Sequence, residues 1–237
     1  MNSSQTLAGV AIAIGIALGG YFVSKTMYNA NVALNTAEAK GLAERRVKAD
    51  RANWEIVYRV NGASKSEIPQ LYKKAEEHQR KILSLLKDNG ISEKEVEPGV
   101  IDYSYTEYRD ENQKLADQTH TLSGVISVET DKVDLVNTVR AKVNKLIAEG
   151  IEIENRPASF LFTKLNDIKP DMLREATKNA RIAATEFAEN AGVKVGGIRS
   201  AIQGNFYVHD VGSEYGDSEK IEKDVRVVTT ITFYLTD

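Results

Sequence analysis

From Leu7 to Val23 the chain runs for 17 residues without a charge, and regular alternation of apolar and polar positions begins only well beyond Lys25. At about 1.5 Å of helical rise per residue, this run nearly crosses a hydrocarbon core about 30 Å thick, which predicts one N-terminal transmembrane helix. A removable leader needs a basic start and a small-x-small site close behind its apolar run. Here MNSSQT carries no Lys or Arg, and the clear Ala-x-Ala lies as far on as Ala37 to Ala39, so an uncleaved anchor over residues 1–28 is the better reading. Tyr21, Phe22, Lys25 and Tyr28 stand where interfacial aromatic and basic residues belong. Within the span, Ala11, Gly15 and Gly19 recur at the four-residue spacing that lets helices approach closely, although small residues are common in any anchor.

Residues 29–40 read as a tether ending in a frayed strand, and the folded domain is expected over 41–237. Trp54, Ile56, Tyr58 and Val60 alternate with polar neighbours, the period of a strand with one buried face. Asn61-Gly62 closes it, and a helix follows, with Leu71, Tyr72, Ala75, Ile82, Leu85 and Leu86 at helical spacing up to Asn89-Gly90. Val96 to Tyr108 is strand-like, with Ile101, Tyr103 and Tyr105 on one face, and Arg109 to Gln118 reads as a polar hairpin loop. The order then repeats. Leu122, Gly124, Ile126 and Val128 alternate, a helix carries Val136, Val139, Val143, Leu146 and Ile147 on one face, Gly150 ends it, and Ala158 to Leu165 reads as a strand.

In the last third, Pro170 at a first-turn position opens a helix whose stripe of Leu173, Ala176, Ala180, Ala184, Phe187, Ala188 and Ala191 suits close packing on a sheet or a second helix. Gly192 stops it. Val193 to Ile202 is a strand, and Val225, Val227, Thr229, Ile231, Phe233 and Leu235 form one face of another. The pattern specifies an α/β (α+β) domain: two βαβ-like halves packing helices on an antiparallel or mixed sheet, behind one transmembrane helix.

Composition narrows the function. The net charge of −3, with basic residues spread along the chain, lacks the electrostatic footprint of a phosphate-backbone binder, so nucleic acid is not an expected partner. Zero Cys excludes disulfides, thiolate metal sites and thiol nucleophiles. His78, His120 and His209 stand far apart with no metal-ligand spacing, and each is expected at the surface or satisfied. The Gly-rich Gly192 to Gly197 follows a helix and enters a strand, the reverse of a phosphate loop. Asp210, Glu214, Asp217 and Glu219 lack calcium-loop spacing and read as a solvated hairpin tip. Glu93, Glu95 and Glu97 are expected to face solvent. No nucleophile motif is present, so no enzyme activity, cofactor or metal is expected.

Three stretches resemble the SIMPL domain family. Glu175-Ala176, Ala180-Arg181, Ala184, Ala188 and Gly192 match its alanine-rich helix, Phe160-Leu161-Phe162-Thr163 ahead of Asn166-Asp167 is similar to the strand leading into it, and Gly41 to Val60, with Val47 and Asp50, resembles its opening. The resemblance implies an α/β domain outside the cytoplasm, assembly into large rings in some members, no settled activity and, for some relatives, a link to envelope stress. A membrane-anchored periplasmic interaction module follows as the expected function, its partners being the membrane, further copies of itself and other envelope proteins, with sheet edges and the Ala-rich helix mediating assembly. The alternative is a small-molecule-binding or enzymatic module in which Tyr103, Tyr105, Tyr108 and Arg109 line a groove.

Overall fold

The computed structural model describes residues 3–32, 35–213 and 215–236. It is a mixed α+β structure with two antiparallel sheets, preceded by helix α1 (Ser3–Val32). The chain divides into two compact units.

One unit comprises Arg46–Leu165 and Val208–Val225. It contains β2 (Arg51–Gly62), α2 (Ile68–Asp88), β3 (Val96–Arg109), β4 (Leu115–Thr130), α3 (Val133–Lys145), β5 (Glu152–Asn155) and the short β6 (Ser159–Leu161). The sheet order β3-β4-β2-β5, with β6 also on β2, places each outer strand one neighbour away from the strand that precedes its helix. Two βαβ units are thereby interlocked, the split βαβ arrangement, and the repeat visible in the sequence becomes two halves sharing one sheet.

Strict alternation builds the inner face. Trp54 opposes Val128, Ile56 opposes Ile126 and Val60 opposes Leu122, and all six are buried. Tyr58 opposes Gly124 because its ring occupies the space a side chain would need: a Cβ at Gly124 would stand 2.7 Å from Tyr58 Cε1 and closer still to the hydroxyl. Helix α2 buries Leu71, Ala75, His78, Ile82 and Leu86, and α3 buries Val133, Val136, Val139 and Val143. Both helical segments end in the same way. Gly90 and Gly150 take φ of 91° and 83°, Ile91 and Ile151 return their N–H groups to Leu86 O (3.0 Å) and Leu146 O (3.2 Å), and both isoleucines are buried. This is a left-handed C-cap with its hydrophobic contact.

The other unit comprises Met1–Arg45, Asn166–Tyr207 and Arg226–Asp237. It holds most of β1 (Thr36–Lys48), α4 (Leu165–Asn190), β7 (Lys194–Asp210) and β8 (Glu222–Thr236), the three strands ordered β1-β8-β7. Met172, Ala176, Ala180, Ala184 and Ala188 are buried along one stripe of α4. The helix reaches the strand so closely that a Cβ on Gly41 would stand 2.5 Å from Ala180 N and closer to Ala176 O.

Several expectations are corrected. The frayed strand expected at the end of the tether is a full strand, β1, starting at Thr36, and β4 starts at Leu115, so the β3–β4 turn is half the expected loop. The segment from Ala158 to Leu165 is not one strand: β5 precedes it, β6 spans three residues of it, and α4 starts at Leu165, which puts Pro170 inside the helix. Leu173 is half-buried and Phe187 and Ala191 are exposed, so they leave the buried stripe, and Met172 joins it; Ile147 is also exposed. Strand β7 runs on to Asp210, well past Ile202.

Candidate functional site

Helix α1 contains an apolar stretch, Gly9–Tyr28, long enough to cross a membrane and wholly unburied. Ala11, Gly15, Gly19 and Val23 lie in it with exposed side chains; the side chain of Leu7 falls outside the described residues. Helical periodicity is nearly absent from this stretch, since apolar residues cover every face, which suits lipid on all sides rather than a seat on a protein surface. Lys25 lies over the Tyr21 ring at 5.8 Å.

Of the Tyr-rich set, the structure brings Tyr103 and Tyr105 together around His120. The Tyr103 hydroxyl and His120 Nδ1 share a hydrogen bond of 2.8 Å, and the Tyr105 ring lies 4.8 Å from the imidazole centroid. Of the two expectations for this histidine, surface or satisfied, the structure shows a buried ring whose Nδ1 is satisfied by Tyr103 and whose Nε2 has no protein partner. Arg109 is drawn aside to Glu107 (2.6 Å), whose other oxygen accepts from the Tyr105 hydroxyl (2.8 Å). Tyr108 pairs with Asp117 on the opposite face, so no groove joins the four expected residues.

His78 is also buried, with Nδ1 unpartnered. Burial, helped by Lys74 and Lys81, holds its pKa below the usual histidine value, so the neutral ring is favoured. Burial likewise pushes the Tyr58 hydroxyl up to about 12. His209 is half-buried, and among the described residues no three His, Asp or Glu side chains gather as a metal site.

Two carboxylates that the sequence places in solvent, Asp210 and Glu95, are drawn into the Arg46–Leu165 and Val208–Val225 unit instead. Asp210, expected at a solvated tip, is buried with the fully buried Lys223, whose ammonium donates to Asp210 Oδ1 and to Asp217 O at 2.7 Å. The N–H of Glu219 donates to Asp210 Oδ2 at 2.8 Å, and the carboxyl is held below its ordinary range because Lys223 and backbone N–H groups outweigh the effect of burial. Glu214 lies outside the described residues. Glu95 is the second: burial favours its neutral form, but Lys132, Ser92 and Thr130 more than compensate and hold it at about 2. Both had a visible signal. Lys223 occupies the inward phase of the Val225 to Leu235 alternation, and Ser92-Glu-Lys-Glu95 is a capping-box spacing.

The residues that carry the family likeness have structural tasks here. Asp50 accepts from the Thr163 N–H (2.6 Å) and hydroxyl (2.8 Å), and Ala52 pairs with Phe160, so the opening motif clasps the strand motif. Ala176, Ala180, Ala184 and Ala188 pack beneath α4, Arg181 covers the Phe233 ring at 5.8 Å, Glu175 faces solvent, and Gly192 caps the helix at φ 75°. A polar cleft of about 480 Å³ lies at Asn53, Lys94, Glu95, Glu97 and Glu129, and an apolar one of about 410 Å³ at Leu83, Ile91, Val96 and Pro98.

Against known families, residues 38–233 match SIMPL, described as a protein of unknown function (DUF541). No curated protein matches. Among solved structures, the chain is similar to the de novo designed protein Foldit4 at 14% identity (TM-score 0.25, 46% of this chain and 94% of that one). It is also similar to an uncharacterized conserved protein from Listeria innocua at 11% (TM-score 0.24, 78% and 90%). A hydantoinase/carbamoylase family amidase from Burkholderia ambifaria matches at 10% (TM-score 0.25, 54% and 34%). At such TM-scores these likenesses carry no conclusion about fold or activity.

Proposed function

The chain belongs to the SIMPL family, and from that premise we propose that it is a membrane-anchored, extracytoplasmic interaction module of the cell envelope that assembles with further copies of itself and with other envelope proteins, without catalysis of its own. The observation that carries the proposal is α1: its apolar stretch Gly9–Tyr28 is exposed throughout, and the helix is separated from β1 by only three residues. Such a helix is stable in lipid and unstable in water, so it holds the following strands at a membrane surface.

Of the two assembly surfaces expected, sheet edges and the Ala-rich helix, the edges suit a second copy better. The alanine stripe of α4 is used up inside the chain, against β1 and β8, and is not free to face a second copy. Edge strands remain. Strand β3 exposes Val100, Tyr103, Tyr105 and Tyr108, β7 exposes Ile202, and each leaves one row of backbone groups without a strand neighbour in its sheet. Their exposed side chains favour assembly through these edges, and a part in the envelope stress response would fit a module that gathers partners at the membrane.

Fractionation with protease accessibility and intact mass tests the anchor: the full-length mass in the membrane fraction, with the domain cleaved only from the outer side, is expected. A soluble, unprocessed cytosolic chain would reject the proposal. Light scattering of the detergent-solubilised chain tests assembly, and a strict monomer at high concentration rejects it. The Tyr103–His120 bond and the two tyrosines around that imidazole favour one second reading, a small-molecule site on β3. A rise in melting temperature with a metabolite, abolished by Tyr105→Ala, would support it.

A further inference from the structure

Four chain segments meet at the end of the unit that carries the anchor. Strand β1 starts there, and Leu235 donates its backbone N–H to Asn35 O at 2.8 Å, so the end of β8 lies at the same level. Asn179 binds Leu42 O (2.8 Å), while Ala39 clusters with Ala180 and Ala184, so α4 runs antiparallel to β1 and brings its last turn to the start of the strand. From that turn Gly192 leads into β7, whose Gly196 lies beside Tyr234 O.

Chain connectivity keeps this end close to lipid. Beyond Tyr28 the helix rises about 6 Å to Val32, and the four residue steps to Thr36 span at most about 14 Å, so β1 starts within about 20 Å of the hydrocarbon edge. The headgroup layer occupies roughly 5–8 Å of that distance. Two large apolar side chains are exposed at the same end: Phe187 (66%), in the last turn of α4, and Ile198 (49%), near the start of β7. Scattered exposed apolar residues need no explanation. These two sit where the tether holds a bilayer within reach.

We infer that this end of the domain rests on the bilayer beside its own anchor, with Phe187 and Ile198 dipped among the lipid headgroups. The inference rests on the anchor reading above. Neighbouring charges are of both signs, Glu186 and Glu189 with Arg199, so the contact is apolar insertion that needs no anionic lipid and resists salt. Two side chains are too few to recruit a free domain. Tethering supplies a millimolar-range effective concentration of surface, which lets a weak contact persist.

Because the chain has no Cys, Phe187→Cys, Ile198→Cys and Ile202→Cys each offer a single labelling site. Ile202 is 67% exposed and lies four residues, about 13 Å, beyond Ile198 along β7, so it serves as the reference. Each full-length variant, carrying an environment-sensitive dye, is reconstituted into phosphatidylcholine vesicles with quencher-bearing lipid and floated. Lipid quenching at positions 187 and 198 at least about twice that at 202, unchanged in about 0.5 M salt, is expected. Equal quenching at all three positions in floated protein would overturn the docking while leaving the anchor intact. Shielding of 187 and 198 from iodide without lipid quenching would assign the surface to a second copy and also overturn it. Protein that stays at the bottom of the gradient would remove the anchor, and the docking with it.

Discussion

Replacing Gly41 by alanine adds one methyl group where a glycine strand backbone lies directly against the backbone of α4. That carbon would stand 2.5 Å from Ala180 N, 2.9 Å from Ala176 C and closer to Ala176 O, all backbone atoms of α4. Backbone in a helix cannot rotate away as a side chain tip does, so the helix must back off by about 1 Å or more to restore ordinary contact near 3.4 Å. Such a shift opens the seam at which Ala39, Ala180, Ala184, Ile231 and Phe233 are packed. A gap of this size forfeits a quarter to a half of each dispersion contact along it. Overpacking costs about 1–3 kcal/mol when side chains can adjust, and the rigidity of both partners puts Gly41→Ala at about 3 kcal/mol. For a chain of this size that lowers the melting temperature by about 6–12 °C. Urea unfolding of the detergent-solubilised chain, followed by far-UV circular dichroism, measures it. Gly19→Ala is the control, because a Cβ there meets nothing within 4 Å. A loss below about 0.5 kcal/mol for Gly41→Ala, or an equal loss for the control, would refute the reasoning.

Three further outcomes follow from the other unit. Lys223→Met strands the buried Asp210 carboxylate and should cost about 3–5 kcal/mol, whereas Lys223→Met with Asp210→Leu should recover part of that loss in the same unfolding assay. The Glu95 carboxyl is held at about 2 against 4.5, so its roughly 3 kcal/mol is fully present above pH 4.5 and lost as pH falls through 2; Glu95→Gln should destabilise at neutral pH and flatten the acid limb of a pH–stability curve. Tyr58→Phe removes a buried hydroxyl that has no protein partner and should leave the melting temperature unchanged or raise it, while Gly124→Ala, which presses on the same ring, should lower it by several degrees.

Strands with one buried face were legible because their apolar residues alternate over a long enough run: β2, the inner half of β4 and β8 all follow the pattern. Strand β5 has four residues, too few for any period to register, and the outer part of the β3–β4 hairpin is exposed on both faces, so nothing in its composition separates Leu115 to Asp117 from a loop. The start of α4 was hidden by Pro170, which marks a first turn when read alone but here lies within the helix. The candidate site was harder to see. Tyr103 and Tyr105 share a face by spacing alone, but their convergence on His120 depends on strand register, 15 and 17 residues away along the chain. Lys223 could have been singled out, since a lysine in the inward phase of a buried strand requires a buried partner.

Strand β8 sits between β1 and β7, yet of the described strands it is the last to be synthesised. While the chain is still being synthesised, β1 has no neighbour to bond to, and α4 has no completed sheet to cover. The stretch from Arg51 to Asn155, by contrast, already contains all four strands of its main sheet path and both of its helices. Assembly therefore begins in the middle of the chain, and the three-stranded sheet closes only when its last strand is made. A polypeptide truncated before Glu222 would leave β1 and β7 without the strand that joins them, a bare pair of edges open to proteolysis.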